Sequence, residues 1–179
     1  QRIYAVRYVD ETAYLVTFRQ VDPLHVVDLS DPGNPTELGE LELPGFSNYL
    51  HPIDDDHVLG VGQEDGRAKL VLFDVSDPTD PVVADDLLFD ARWSAVSRTH
   101  HAFTIDRKHG VAFLPAGRTG EVIDYTNGSL ERVHIVETDA PPERARYVDD
   151  YLYVFAGTEV AVVDETDWTR ARTLQLGDN

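Results

Sequence analysis

Hydrophobic residues along this chain occur in short runs that alternate with polar positions, and one such run returns four times with the same ending. In each case four mostly apolar residues are followed by an aspartate. The four runs are Leu24–Asp28, Leu70–Asp74, Gly120–Asp124 and Val160–Asp164. Their closing aspartates stand 46, 50 and 40 residues apart. A repeat of this length is typical of proteins built from stacked or radially arranged supersecondary units.

Each of these runs belongs to a larger unit of four strand-like segments. The segments are short, rich in β-branched and aromatic residues, and bounded by Gly, Pro, Asn and Asp, which is the pattern of β-strands. In the third unit, for example, the first segment is His101–Ile105. No segment has a 3.6-residue apolar period over the length of a helix. We therefore predict an all-β chain.

Four antiparallel strands repeated around an axis form the blade of a β-propeller. We predict a single domain over residues 1–179, with four blades at about 1–45, 46–91, 92–138 and 139–179. Residues 92–99 form the one long connection between blades, and no change of composition marks a second domain. The sequence leaves two alternatives open: a closed ring of four blades, or part of a larger ring.

The turn after the third strand of a blade carries the clearest motif. The segments Asp28–Pro35 and Asp74–Pro81 match at both Asp and both Pro positions. Asp and Ser side chains accept hydrogen bonds from nearby backbone N–H groups, and Pro fixes φ for a tight turn. A calcium loop is the functional alternative, but the Asp-x-Asp-x-Asp spacing with a distal Glu is missing. We interpret the motif as turn architecture.

The charge of the chain is strongly acidic. There are 33 acidic and 15 basic residues, a net charge of −18, and only two of the basic residues are Lys. A nucleic-acid partner is not expected, because phosphate binding requires a basic surface. An Asp-rich, Lys-poor composition spread over the chain favours a halophilic protein, whose self-repulsion is screened at high salt. An acidic cation-binding surface is the alternative.

The sequence lacks the residues and motifs that would indicate several kinds of site or a membrane-spanning segment. With no Cys, the chain has no disulfide, thiolate nucleophile or Cys-ligated zinc. No apolar run is long enough to span a membrane. There is no Gly-x-Ser-x-Gly elbow, His-Glu-x-x-His motif or phosphate-binding loop. Trp93 and Trp168 are interpreted as exposed sugar platforms or, more often in such folds, as aromatics packed between blades.

The turn motifs also carry a family resemblance. The stretches Val16–Leu24, Gly45–Pro52 and Leu72–Pro78 resemble the C-terminal β-propeller domain family of archaeal and bacterial secreted proteins. The resemblance covers about the first 115 residues well, and the remainder through the repeat alone. It implies a propeller longer than this chain, with these residues as its last four blades. It also implies an extracellular or cell-surface location; a cytoplasmic location stays the alternative.

Four basic residues share one position in the first strands of the blades. Aligned on the Asp of the following turn, they are Arg7, His51, His101 and Arg146. His51 and His101 also lie 23 residues before their blade's closing aspartate. In propellers the first strand lines the central channel, so these side chains would form a ring that binds an anion. Pairing of each residue with a neighbouring carboxylate is the alternative, since strand alternation can turn it away from the axis.

A metal site is a second interpretation of the same positions. His51 and His101, with the adjacent His100, offer nitrogen ligands suited to zinc, copper or nickel. The spacing alone does not define a metal motif, so we predict no metal and no other cofactor. The triplet Asp54–Asp56 is interpreted as a solvated hairpin tip, because adjacent carboxylates on an extended chain diverge.

Together these observations favour a non-catalytic extracellular scaffold or recognition propeller. It would bind an unidentified protein partner or a small anion at the channel mouth, and we assign no catalytic residue. The alternative is a metal-dependent or hydrolytic enzyme with a channel-centred site formed by His51, His101 and an acidic neighbour. A third hypothesis is that the chain self-associates to complete its ring, since uncapped terminal repeats expose apolar faces.

Overall fold

The structure is a computed structural model that describes residues 2–18, 22–43 and 45–177. In these residues the chain forms sixteen β-strands and three short 3₁₀ helices, and no α-helix. The strands make four separate antiparallel sheets of four, and within each sheet they lie side by side in chain order. This confirms the predicted all-β fold of four-stranded antiparallel blades.

The chain divides into two compact units, residues 1–89 and 90–179, and each holds two of the sheets. The strands of the first unit are β1 (Arg2–Val9), β2 (Thr12–Phe18), β3 (Asp22–Asp28), β4 (Thr36–Leu43), β5 (Phe46–Pro52), β6 (His57–Glu64), β7 (Arg67–Asp74) and β8 (Val82–Leu88). Both sheets lie within the predicted blade ranges. Residues 19–21 of the stretch Val16–Leu24 lie outside the described residues.

The core of the first unit forms between the facing surfaces of its two sheets. Its buried side chains are Ala5, Tyr14, Val16, Leu24, Val26, Leu50, Val58, Val71, Phe73 and Val75. Within each strand these residues mostly lie two positions apart, because successive side chains point to opposite faces of a sheet. Burial of this apolar surface is the main favourable contribution to the stability of the unit.

The second unit repeats this arrangement. Its strands are β9 (Thr104–Asp106), β10 (Val111–Ala116), β11 (Thr119–Asp124), β12 (Glu131–Glu137), β13 (Arg144–Val148), β14 (Tyr151–Ala156), β15 (Glu159–Asp164) and β16 (Arg170–Gln175). The buried side chains between the third and fourth sheets are Val111, Phe113, Val122, Val136, Ala145, Leu152, Val154, Ala161 and Val163. Trp168 packs at the edge of this core, where its ring stacks on that of His134, 5.6 Å between centroids. It thus joins the third and fourth blades.

A glycine beneath a phenylalanine recurs in the two units. A Cβ placed on Gly60 of β6 would lie 2.7 Å from Cε2 of Phe73, and one on Gly120 of β11 would lie 2.4 Å from Cε2 of Phe113. Both phenylalanines are completely buried. Glycine is therefore required at these strand positions because the neighbouring ring occupies the space that a side chain would need.

The first strand of the third blade differs from the sequence prediction. The segment His101–Ile105 was expected to be a strand, but β9 begins at Thr104 and His101 lies in a 3₁₀ helix, His100–Ala102. A second 3₁₀ helix, Ala95–Ser97, begins where the Ser94 hydroxyl accepts a hydrogen bond from the backbone N–H of Val96. Ala102 and Phe103 are buried. Their burial fixes the connection in a turn and keeps His101 out of strand geometry.

The closing aspartates of the repeat are turn residues, as predicted. Asp28, Asp74, Asp124 and Asp164 each accept a hydrogen bond from the backbone N–H two residues later, at 2.7–2.9 Å. The Ser or Thr hydroxyl at that position also donates to Asp74, Asp124 and Asp164. These carboxylates cap the turn that leads into the fourth strand, which explains why the repeat keeps an aspartate there.

Candidate functional site

Two members of the predicted ring, Arg7 and His51, lie in the first unit and share one neighbour. The Arg7 guanidinium stands over the ring of Tyr49, 4.6 Å from its centroid. The Tyr49 hydroxyl lies 3.0 Å from Nδ1 of His51. Arg7 and His51 are both half-buried, and Tyr49 is buried. The structure therefore brings these two basic residues together around one aromatic side chain.

The other two members, His101 and Arg146, lie in the second unit. His101 is exposed, and its ring is 4.0 Å from that of His100. Arg146 is exposed on β13, on the face opposite Ala145 and Tyr147, which point toward the core. The ring of Arg7, His51, His101 and Arg146 stays a prediction, as does the metal interpretation of His51, His100 and His101.

A cavity of about 370 Å³ opens in the second unit between two connecting segments. Residues 93–99 contribute one wall and residues 140–144 the other. The Arg98 guanidinium stands 5.4 Å from the centre of the Trp93 ring. Arg144 at the start of β13 lines the same cavity, together with the apolar Pro141 and Pro142. The cavity therefore combines two arginines and one carboxylate, Glu143, with an aromatic ring and apolar walls.

A second site lies where the turns of the third and fourth blades meet, and sequence reasoning missed it. Asp106 and His109 stand at the ends of the β9–β10 turn, and Glu165 follows β15. Nδ1 of His109 is 2.7 Å from Oδ2 of Asp106 and 3.7 Å from Oε2 of Glu165. One ligand atom from each of the three residues lies within 4.8 Å of the others. We call these three residues the Asp-His-Glu cluster.

The Asp-His-Glu cluster is largely shielded from solvent. Asp106 and Glu165 are 8% and 5% exposed. Neither carboxylate oxygen of Glu165 has a hydrogen-bond partner among the described residues, and the same holds for the hydroxyl of Tyr147. Burial, followed by the charge of Asp106, raises the pKa of Glu165 to about 7. The hydrogen bond to Asp106 raises the pKa of His109 above its ordinary value.

Charged residues at the rim hold His109 in place. Its Nε2 is 3.1 Å from Oδ1 of Asp150, in the β13–β14 turn. The same oxygen accepts a hydrogen bond from Nζ of Lys108 at 2.5 Å. Burial and the charges of Glu165 and Asp106 raise the pKa of Tyr147 well above its ordinary value. Four side chains thus surround the buried carboxylate of Glu165: Asp106 and His109 from the β9–β10 turn, Asp150 from the β13–β14 turn and Tyr147 from β13.

The repeat itself contains the signal that identifies Glu165. The residue after each closing aspartate donates its backbone N–H to the turn between the first two strands of the same blade: Leu29 to Glu11, Val75 to Asp56, Tyr125 to Gly110 and Glu165 to Asp150. The four positions are therefore equivalent. Three blades place an apolar or aromatic side chain there, and only the fourth places a carboxylate.

A further group of potential ligands lies in the first unit: His25, Glu37 and Glu40. Nδ1 of His25 is 2.6 Å from Oε1 of Glu37, and its Nε2 is 3.1 Å from the Thr17 hydroxyl. Both glutamates are exposed. This group is an ordinary surface ion pair, because solvent reaches its carboxylates and both ring nitrogens have partners.

Comparison with known proteins identifies the family. A family model described as a β-propeller domain matches residues 1–168. The chain belongs to this β-propeller domain family. The match confirms the resemblance drawn from the Asp-Pro turns, and the four four-stranded sheets are its blades. In the residues that the structure describes, no helix is both long and apolar enough to cross a membrane.

Two archaeal relatives match nearly all of this chain. An uncharacterised protein of Archaeoglobus fulgidus is 48% identical over 176 residues, and the uncharacterised protein MJ1554 of Methanocaldococcus jannaschii is 39% identical over 177 residues. Each match covers 98% of this chain but 28% of the relative. The chain thus spans just over a quarter of the length of these relatives.

A solved structure shares the architecture. The structure of apo AztD from Citrobacter koseri superposes with a TM-score of 0.65 at 16% sequence identity. The match covers 98% of this chain and 47% of that chain. At this identity the likeness shows the fold alone.

Proposed function

We propose that this chain belongs to a non-catalytic recognition propeller, which binds a carboxylate carried on an apolar or aromatic group. The supporting observation is the cavity of about 370 Å³ between residues 93–99 and 140–144. A ligand of this kind would place its carboxylate between Arg98 and Arg144 and its apolar part against Trp93 and the two prolines.

The chemistry of the cavity favours an anion over a cation. Guanidinium groups form strong, directional hydrogen bonds with carboxylates, and Arg98 already lies close to the Trp93 ring. The chain as a whole carries a net charge of −18. The positive charge of the two arginines that line this cavity therefore contrasts with the acidic charge of the whole chain. Glu143, which also lines the cavity, would disfavour a ligand with more than one negative charge nearby.

Arg7, Tyr49 and His51 in the first unit support the same type of recognition. A guanidinium over an aromatic ring, with an imidazole beside it, is a further arrangement suited to an anionic group. The predicted binding at the channel mouth would use these residues. An extracellular or cell-surface location follows from the family resemblance and forms part of the proposal, as does an unidentified protein or small-molecule partner.

Calorimetric titration with N-acetylphenylalanine tests the proposal, because this ligand carries one carboxylate on an aromatic group. N-acetylphenylalaninamide, which lacks the charge, serves as the matched ligand. We expect the acid to bind measurably more tightly than the amide. Arg98→Gln and Arg144→Gln should each weaken binding of the acid by about ten-fold, which corresponds to one lost charge-assisted hydrogen bond.

Arg172→Gln is the control variant, because Arg172 is exposed on β16 and does not line the cavity. It should leave binding unchanged. Equal affinity for the acid and the amide, or equal effects of the Arg98 and Arg172 substitutions, would contradict the proposed role of the cavity.

A further inference from the structure

The burial of a carboxylate at position 165 is unfavourable in free energy. The Glu165 side chain is buried, and its oxygens lack hydrogen-bond partners among the described residues. A buried ionised group without compensation is strongly unfavourable. A proton shared with Asp106 would remove one negative charge, but the Tyr147 hydroxyl would still lack a partner. The other blades avoid this cost with Leu29, Val75 and Tyr125.

The geometry of His109 is that of a metal ligand. Nδ1 faces the carboxylates of Asp106 and Glu165, while Nε2 faces Asp150. A ligating histidine usually donates its other ring N–H to a carboxylate, which fixes the tautomer and the orientation of the ring. Asp150, itself paired with Lys108, fills this role. Nδ1, which points into the Asp-His-Glu cluster and pairs with Asp106 at 2.7 Å, is then the nitrogen that would bind a cation in place of this hydrogen bond.

The distances also suit a small ion. Ligand atoms about 2.0–2.1 Å from a tetrahedral zinc ion lie about 3.3 Å from one another. The separations of His109 Nδ1 from the carboxylate oxygens of Asp106 and Glu165, 2.7 and 3.7 Å, lie on either side of this value. A bound divalent cation would take the place of the proton in the hydrogen bond between His109 and Asp106. It would also neutralise the charges of the Asp106 and Glu165 carboxylates. All three ligand atoms lie within 4.8 Å of one another.

We propose that Asp106, His109 and Glu165 bind one first-row divalent cation such as Zn²⁺ or Mn²⁺. One imidazole and two carboxylates form a mixed nitrogen–oxygen ligand set that these ions accept, whereas Mg²⁺ and Ca²⁺ prefer oxygen ligands alone. The ligands come from the third and fourth blades, so the ion cross-links two neighbouring blades. This site is separate from the carboxylate-binding cavity and does not depend on it.

Calorimetric titration of metal-free protein with Zn²⁺, Mn²⁺ and Mg²⁺ tests the proposal. We expect one saturable site per chain for Zn²⁺ or Mn²⁺, and much weaker binding of Mg²⁺. Glu165→Gln retains the shape of the side chain but removes its charge, and it should weaken binding by at least about ten-fold. Zn²⁺ should also raise the melting temperature of the unaltered protein more than that of this variant.

The second blade supplies a matched control. Asp54 and His57 form the same turn as Asp106 and His109, with Nδ1 of His57 3.0 Å from Oδ1 of Asp54. That pair is more exposed, and it is absent from the groups of three potential ligands found in the described residues. His57→Ala should therefore leave the affinity unchanged.

Two outcomes would overturn the proposal: no saturable binding of Zn²⁺ or Mn²⁺, or an affinity equal in the unaltered protein and Glu165→Gln. Equal affinity for Mg²⁺ would also contradict it, because that result indicates binding by surface carboxylates. Anomalous diffraction from zinc-soaked crystals of the unaltered protein locates the ion without any variant. A peak between Asp106, His109 and Glu165 would support the site, and a peak only elsewhere would exclude it.

Discussion

The roles of single side chains in this propeller depend either on near neighbours in the chain or on distant residues. The closing aspartates recur because each caps a turn, and their role is local: acceptor and donor are two residues apart. The sequence alone was sufficient to assign this role, since Asp next to Ser, Pro and Gly is a known turn pattern. The role of Glu165 is not local. It depends on Asp106 and His109, which lie more than fifty residues earlier in the chain.

Asp77 gives a residue-scale prediction about acid stability. Hydrogen bonds from the side chain and backbone of Thr79 hold the pKa of Asp77 below its ordinary value. A carboxylate whose pKa is lower in the folded state stabilises the fold above its unfolded pKa, about 3.9, and this contribution is lost as the pH falls through the folded pKa. Asp77→Asn removes the titration, so we expect a smaller difference in unfolding free energy between pH 7 and pH 3.

Urea unfolding at several pH values measures this effect. Asp31→Asn is a suitable comparison, because Asp31 occupies the equivalent position and accepts one hydrogen bond, from the backbone N–H of Gly33. An unchanged pH dependence in Asp77→Asn would show that the turn does not contribute to acid sensitivity.

At the scale of elements, the strand pattern of the sequence predicted the sheets well because each strand is specified locally. β-branched residues, alternating burial and Gly or Pro boundaries all act over a few residues. The exception is β9, which the pattern placed at His101–Ile105 and the structure begins at Thr104. There the buried Ala102 and Phe103 determine the path of the connection, and burial is a property of the packed unit.

The contact between Gly120 and Phe113 gives an element-scale prediction. A methyl group at Gly120 would lie 2.4 Å from Cε2 of the Phe113 ring, which is completely buried. Gly120→Ala should therefore lower the free energy of unfolding by about 1–3 kcal/mol, the usual effect of overpacking a core. Denaturant unfolding measures the change.

Gly33→Ala is the control for this experiment, because its Cβ would meet only the Asp31 side chain at an ordinary contact distance of 3.4 Å. It should change stability little. A Gly120→Ala variant as stable as Gly33→Ala would indicate that the sheets shift easily around this position.

For the whole molecule, charge is the property that sequence determines most directly. A net charge of −18 on 179 residues implies strong self-repulsion at low salt. The acidic residues are spread along the chain. Many pairs of like charges are therefore far enough apart for salt to screen their repulsion. The halophilic interpretation and the self-association hypothesis belong to this scale, and both stay predictions.

Salt dependence tests the charge argument. The Debye length falls from about 10 Å at 0.1 M to about 3 Å at 1 M, so added KCl should weaken the repulsion. We expect the melting temperature of the protein in EDTA to rise steadily over this range. A melting temperature that stays constant or falls would show that the acidic surface does not limit stability.

The sequence by itself determined the strands, the capped turns, the four-fold repeat and the acidic charge, because each depends on residue type or on near neighbours. Only the tertiary structure decided which distant side chains meet. It brought Arg98 and Arg144 to one cavity, and Glu165 to Asp106 and His109. The physical reason is that packing between blades and the burial of individual groups depend on the path of the folded chain, which no local pattern encodes.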